Sequence, residues 1–187
     1  MNNENLTENK KKWYEIAIDP AHWINHGLRL MLSADLICDE FESIVNSNTP
    51  RYKIQDEMLS YSKVYMMLLG LAFENTAKGI LIQNGKILVG EDQLKNIPKM
   101  HNIKKIISDV LPDLSEDEIN LLRRVEEYTK WNGKYPVPLK SENYVELSFS
   151  PSRDKAISNK IFTRLYYKYN EPILANWTSS SDSQSIN

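Results

Sequence analysis

The chain has 187 residues, 41% of them hydrophobic and 26% charged, with a formal net charge of -2. That length and composition fit one soluble domain, and the near-neutral balance provides no global attraction to nucleic acid or membrane, so either contact needs a local basic patch. The single cysteine, Cys38, excludes an internal disulfide and leaves no Cys cluster for zinc.

The segment 1–12, "MNNENLTENKKK", is polar, holds a basic knot at Lys10, Lys11 and Lys12, and is expected to be disordered. It has no apolar core of the kind a signal peptide needs. The first long helix is expected over about residues 20–45, with Asp19 as cap and Pro20 in its first turn. Gly27, Leu30, Ala34, Ile37, Phe41 and Ile44 recur at three- and four-residue spacing, which makes one buried stripe beside Cys38. "NSNTP" interrupts the chain. A second helix over about residues 54–83 carries a wide apolar face including Met58, Tyr65, Leu69, Phe73 and Ile80, which places it at the centre of a bundle. Gly85 suits its left-handed cap.

A short apolar turn at Ile87, Leu88 and Val89 follows. A third helix opens near His101 and stops before Pro112. Ser115 and Glu118 form a capping box, and Leu114 with Ile119 a hydrophobic staple, for a fourth helix that ends before Gly133. Ser150 and Pro151 open a fifth, with Ile157, Ile161, Leu165 and Tyr169 on one face, bent or ended by Pro172. The tail 178–187 is polar and expected to be disordered. Glycine is scarce and strand-like alternation rare. The expected fold is therefore all-α: one domain over residues 13–177, an antiparallel bundle of about five helices with polar disordered termini. No apolar run approaches the roughly 18 residues of a membrane span. A reducing cytoplasm is the expected compartment.

The stretch "MLLGLAFENTAKGILIQNGK", residues 67–86, resembles the central helix of HEPN domains, with Ala72, Glu74, Lys78 and "GILI" as the matching positions. "HNIKKI", from His101, and "GKYPVP", with Lys134, Tyr135 and Pro136, follow in the order in which that family carries a helix-opening His and an Arg-Tyr-Pro turn. The resemblance spans residues 67–138. It implies a helical bundle that binds RNA or nucleotides, commonly dimerises, and occurs in toxin–antitoxin and defence systems, often beside a nucleotidyltransferase antitoxin. Many members are metal-independent endoribonucleases that use an Arg and a His a few residues apart. This chain departs from that pattern. Its histidines are His22, His26 and His101, none preceded by an Arg at the required spacing, and the nearest echo places Ser158 after Arg153. A serine hydroxyl cannot shuttle protons near neutral pH as imidazole does. The resemblance therefore points to binding ahead of cleavage.

The candidate binding residues are Glu74, Lys78, His101, Lys134, Tyr135 and Arg153, with Glu74 orienting Lys78, and Lys134 and Arg153 meeting phosphate. Each has a plainer alternative. Glu74 and Lys78, four apart, also fit an ordinary helix ion pair. His101 fits a loop-fixing role or, with Lys99, Lys104 and Lys105, an anion-binding helix start. Tyr166, Tyr167 and Tyr169 with Lys160, Arg164 and Lys168 suit either base stacking or a bundle edge. His22 and His26 share a helix face, without a third ligand at matching spacing. No cofactor or metal is expected. The expected partners are a second copy of the chain, RNA or a nucleotide, and an antitoxin of nucleotidyltransferase type. The alternative is a non-enzymatic helical dimerisation or protein-interaction domain.

Overall fold

The computed structural model describes residues 3–47, 50–90, 92–97, 101–132 and 149–182. The fold is all-α. Among the described residues there are six α-helices: α1 (Asn3–Ile18), α2 (Pro20–Asn46), α3 (Arg51–Gln83), α4 (Ile103–Val110), α5 (Glu116–Glu127) and α6 (Pro151–Asp182). A two-stranded antiparallel hairpin, β1 (Leu88–Val89) and β2 (Leu94–Lys95), stands where a short apolar turn was expected. None of these helices is long and apolar enough to cross a membrane.

α2 and α3 form the spine. Asp19 caps α2 by accepting from the Ala21 amide at 2.9 Å, and Pro20 occupies its first turn. Ile24, Gly27, Met31, Ala34, Cys38 and Phe41 form its buried stripe. α3 runs back antiparallel, so that Phe41 meets Tyr61 near one end of the pair and Pro20 meets Gly79 at the other. Gly27 lets the helices touch: a Cβ there would lie 2.1 Å from Thr76 Oγ1 and 2.9 Å from the Ala72 carbonyl. α3 is buried on most sides from Tyr65 to Leu81, as a central helix must be, although Met58 near its start is exposed. Gly85, at φ +68°, ends it in the left-handed conformation.

The smaller helices close one side of α3. α4 buries Ile103, Ile106, Ile107 and Val110 and stops just before Pro112. α5 begins with the Ser115–Glu118 capping box and continues into a π-helical turn, Tyr128–Asn132. Thr129 in that turn packs against Gly70 of α3. α6 buries Asp154, Ser158, Ile161 and Leu165. One hydrophobic cluster includes residues of α2, α3, α4, α5 and α6. Burial pushes the Cys38 thiol up to about 11, in keeping with an inert small hydrophobe.

The described residues add one helix and lengthen the last. α1 begins at Asn3, which makes six helices among them where about five were expected. The end of α1 is fixed by tertiary contacts: Ala17 is buried, and Trp23 Nε1 donates to its carbonyl at 3.0 Å. α6 passes through Pro172 and reaches Asp182. A proline removes the donor to the carbonyl four residues earlier, that of Lys168, and the Gln83 amide donates to the neighbouring Tyr169 carbonyl at 3.1 Å. α4 opens near His101, as expected, with Asn102 as its cap.

Candidate functional site

Glu74 lies on α3 and is 4% exposed. A buried carboxylate needs partners. Lys78, one turn on, donates to its Oε1 at 2.6 Å, and His101 Nδ1 lies 3.0 Å from its Oε2. The helix supplies the first contact. The second depends on backbone geometry before α4, because His101 sits at φ +62°, in the left-handed region that His tolerates better than most residues. With Nδ1–H donating to the carboxylate, Nε2 is left as the ring's second polar atom. Lys78 keeps two N–H donors beyond the one Glu74 engages. The plain surface ion pair considered from sequence is thus a partly buried three-residue cluster.

Burial alone would raise the Glu74 pKa, but the Lys78 hydrogen bond and charge, then those of His101, outweigh it and hold the carboxyl below its usual range. A depressed folded-state pKa stabilises the fold fully above the unfolded value, near 4.5, and that stabilisation is lost as pH falls through the lower folded value. The urea-midpoint gap between wild type and Glu74→Gln is therefore expected to hold steady from pH 6 to 5 and narrow below about pH 4.5. A gap unchanged down to pH 3 would contradict the ion-paired carboxylate.

The amino end of α4 is already occupied. Glu126 Oε2 accepts the Lys104 amide at 3.0 Å, Asn102 caps Lys105, and Lys130 donates to Glu126 Oε1. The Lys104 and Lys105 amides of this helix start are thus engaged by the chain's own Glu126 and Asn102.

Arg153 is not part of this cluster. It donates to Asp117 at 2.7 Å, in the first turn of α5, whereas Glu126 beside Lys104 is in the last. Those turns are separated by nine residues, about 14 Å of helix. Beside Arg153 is a pocket of about 200 Å³ bordered by Asn120, Arg124 and Asp154. Ser158 faces the opposite way, fully buried, donating to the Lys155 carbonyl at 2.9 Å and lying 3.1 Å from the Tyr65 hydroxyl. Arg153 and Ser158 therefore do not converge on one cleft. Lys134, Tyr135 and Lys99 lie outside the described residues.

The mixed face of α6 is largely committed to internal contacts. Arg164 bonds Glu118 and Asp113, Lys168 pairs with Glu171, and Lys160 lies 3.5 Å from Glu118. His22 bonds Asp19 at 3.0 Å, and it shares a pocket with His26, Trp23, Ile16 and Asn75. Among the described residues no group of three or more His, Cys, Asp or Glu is placed to hold a metal.

Sequence reasoning missed two features. The Arg124–Asp154 pair, with both guanidinium nitrogens on both carboxylate oxygens at 2.7 and 2.6 Å, joins α5 to α6 across 30 residues. The cleft between α1 and the hairpin, about 560 Å³, has Lys10 and Lys11 on its wall, residues that read as a solvated tail. Neither carries a local signal beyond charge. No family model, curated protein or solved structure matches the chain.

Proposed function

We propose that this chain is a HEPN-like module that binds RNA or a nucleotide through Glu74, Lys78 and His101. The observation that carries the reading is the buried Glu74 carboxylate shared by Lys78 and His101. A helix-surface ion pair needs no second cation-forming group, brought in by a left-handed residue 27 positions away. Glu74 orients both side chains, and their remaining polar atoms suit the oxygens of a phosphate. The order of "AFENTAK" and "HNIKK" supports the family reading. It implies a prokaryotic toxin–antitoxin or defence setting, a homodimer, and an antitoxin of nucleotidyltransferase type as partner. Binding is favoured over endoribonuclease cleavage. Arg153 is paired with Asp117 and Ser158 is buried, so these two do not stand in for the family's Arg and His.

The test is fluorescence anisotropy with labelled single-stranded RNA, and with labelled nucleotide, across about 50 to 200 mM salt. Binding that weakens steadily with salt is expected. No binding to either ligand at the low end would contradict the proposal. A second reading, a protein-interaction or dimerisation domain, draws on Leu32 and Leu36, one turn apart on α2 and 55% and 71% exposed. A concentration-dependent dimer lost in Leu36→Asp, without RNA or nucleotide binding, would favour it.

A further inference from the structure

We propose a second ligand site, independent of Glu74, in the cleft between α1 and the β1–β2 turn, suited to a nucleoside diphosphate. The cleft measures about 560 Å³ and is lined by Thr7, Lys10, Lys11 and Tyr14 on one side and Gly90 and Asp92 on the other. The four α1 residues fall at three- and four-residue spacing, so one helix face looks at the hairpin. The Gly90 amide donates to the Gln93 carbonyl at 2.8 Å and closes the turn. Lys95 Nζ comes within 3.9 Å of where a Cβ on Gly90 would stand, which brings a third ammonium to the same turn.

The charge arrangement is what singles this cleft out. The chain as a whole carries -2, yet Lys10 and Lys11 line this cleft with the Asp92 carboxylate, and Lys95 comes to the turn at Gly90. Lys10, Lys11 and Lys95, like Lys63 and Lys104 elsewhere, have no ion-pair partner among the described residues; what sets Lys10 and Lys11 apart is that both line one cleft with Tyr14 and Asp92. Lysine ammonium groups are compact point charges suited to phosphate oxygens. Tyr14, 36% exposed, offers a ring face for a base to stack on. The Asp92 carboxylate can accept hydrogen bonds from hydroxyls, as an acidic residue does from a ribose. Phosphate, ring and sugar thus each meet a matching group within one cleft.

The test is calorimetric titration of the intact protein with ADP, with inorganic pyrophosphate and with adenosine, at about 50 mM salt. ADP is expected to bind more tightly than either fragment. The double variant Lys10→Ala, Lys11→Ala is expected to weaken ADP and pyrophosphate about tenfold or more. Tyr14→Ala is expected to weaken ADP about tenfold while leaving pyrophosphate unchanged, and Tyr14→Phe to keep both. Lys155→Ala, which removes a lysine paired with Asp39 away from the cleft, is expected to leave all three titrations as in wild type. Far-UV circular dichroism checks that α1 stays helical, and Lys10→Gln with Lys11→Gln replaces the alanine pair if it does not. ADP binding no tighter than pyrophosphate, or surviving loss of both lysines, overturns the proposal. So does ADP binding lost only in Lys78→Ala, which would place the ligand at the Glu74 cluster.

Discussion

Asp154→Ala is expected to lower folding stability by about 3–5 kcal/mol. The Asp154 carboxylate is 1% exposed and takes both terminal nitrogens of Arg124, itself 20% exposed. It also accepts the Ser150 amide at 2.9 Å, at the start of α6. Hydrogen bonding to Asp154 is the main reason that the Arg124 pKa lies above its ordinary value, against the opposing effect of burial. Removing the carboxylate leaves a largely buried guanidinium without its main partner and an uncapped amide. The first loss is the larger, because an unpaired buried charge costs far more than the pair itself contributes. The partial exposure of Arg124 lets water recover some of it, which favours the lower end of the range. Urea denaturation of wild type and variant measures the difference. A loss below about 1 kcal/mol would mean that the pair behaves as an exposed one.

Ser158→His is expected to destabilise the protein and to restore no nuclease. The larger ring must enter a fully buried position beside the Tyr65 hydroxyl, which Ser158 now meets at 3.1 Å. Overpacking costs about 1–3 kcal/mol and an unpaired buried imidazole nitrogen about as much again. A total of about 2–6 kcal/mol follows if the two effects add. Urea denaturation gives the stability, and incubation with labelled RNA gives the activity. A variant as stable as wild type that cleaves RNA would show that position 158 opens on a site with Arg153, against the geometry.

Much of the fold was readable because its signals are local. Asp19 before Pro20, Ser115 three residues before Glu118, and Gly85 after α3 act through neighbouring backbone groups, so the sequence carries the whole cause. The wide apolar face of α3 likewise announces its central position. What escaped depends on distant partners. α1 has no apolar stripe over its first turns, and its ordering rests on Trp23 reaching back to Ala17 and on the hairpin beside Lys10 and Lys11. The passage of α6 through Pro172 goes with the Gln83 contact, 86 residues away from Tyr169.

The candidate site divides in the same way. Glu74 and Lys78 are one turn apart, so their contact was legible. That His101 joins them depends on a left-handed backbone no periodicity reveals. Arg153 looked like a phosphate ligand because Asp117, its partner, lies 36 residues away in sequence. Ser158 could have been read better. Asp154, Ser158, Ile161 and Leu165 recur at four, three and four residues, which is a buried helix face, and all four are 0% exposed.

The central claim is that Lys78 and His101, held by Glu74, meet the phosphates of RNA or a nucleotide. The direct measurement is the dissociation constant for single-stranded RNA at about 50 mM salt, for wild type, Lys78→Ala and His101→Ala, each checked for intact helicity. The account predicts that wild type binds and that each variant binds about tenfold or more weakly, as expected for loss of a charge-assisted contact of about 1.5–3 kcal/mol. RNA binding equal in all three proteins would contradict it.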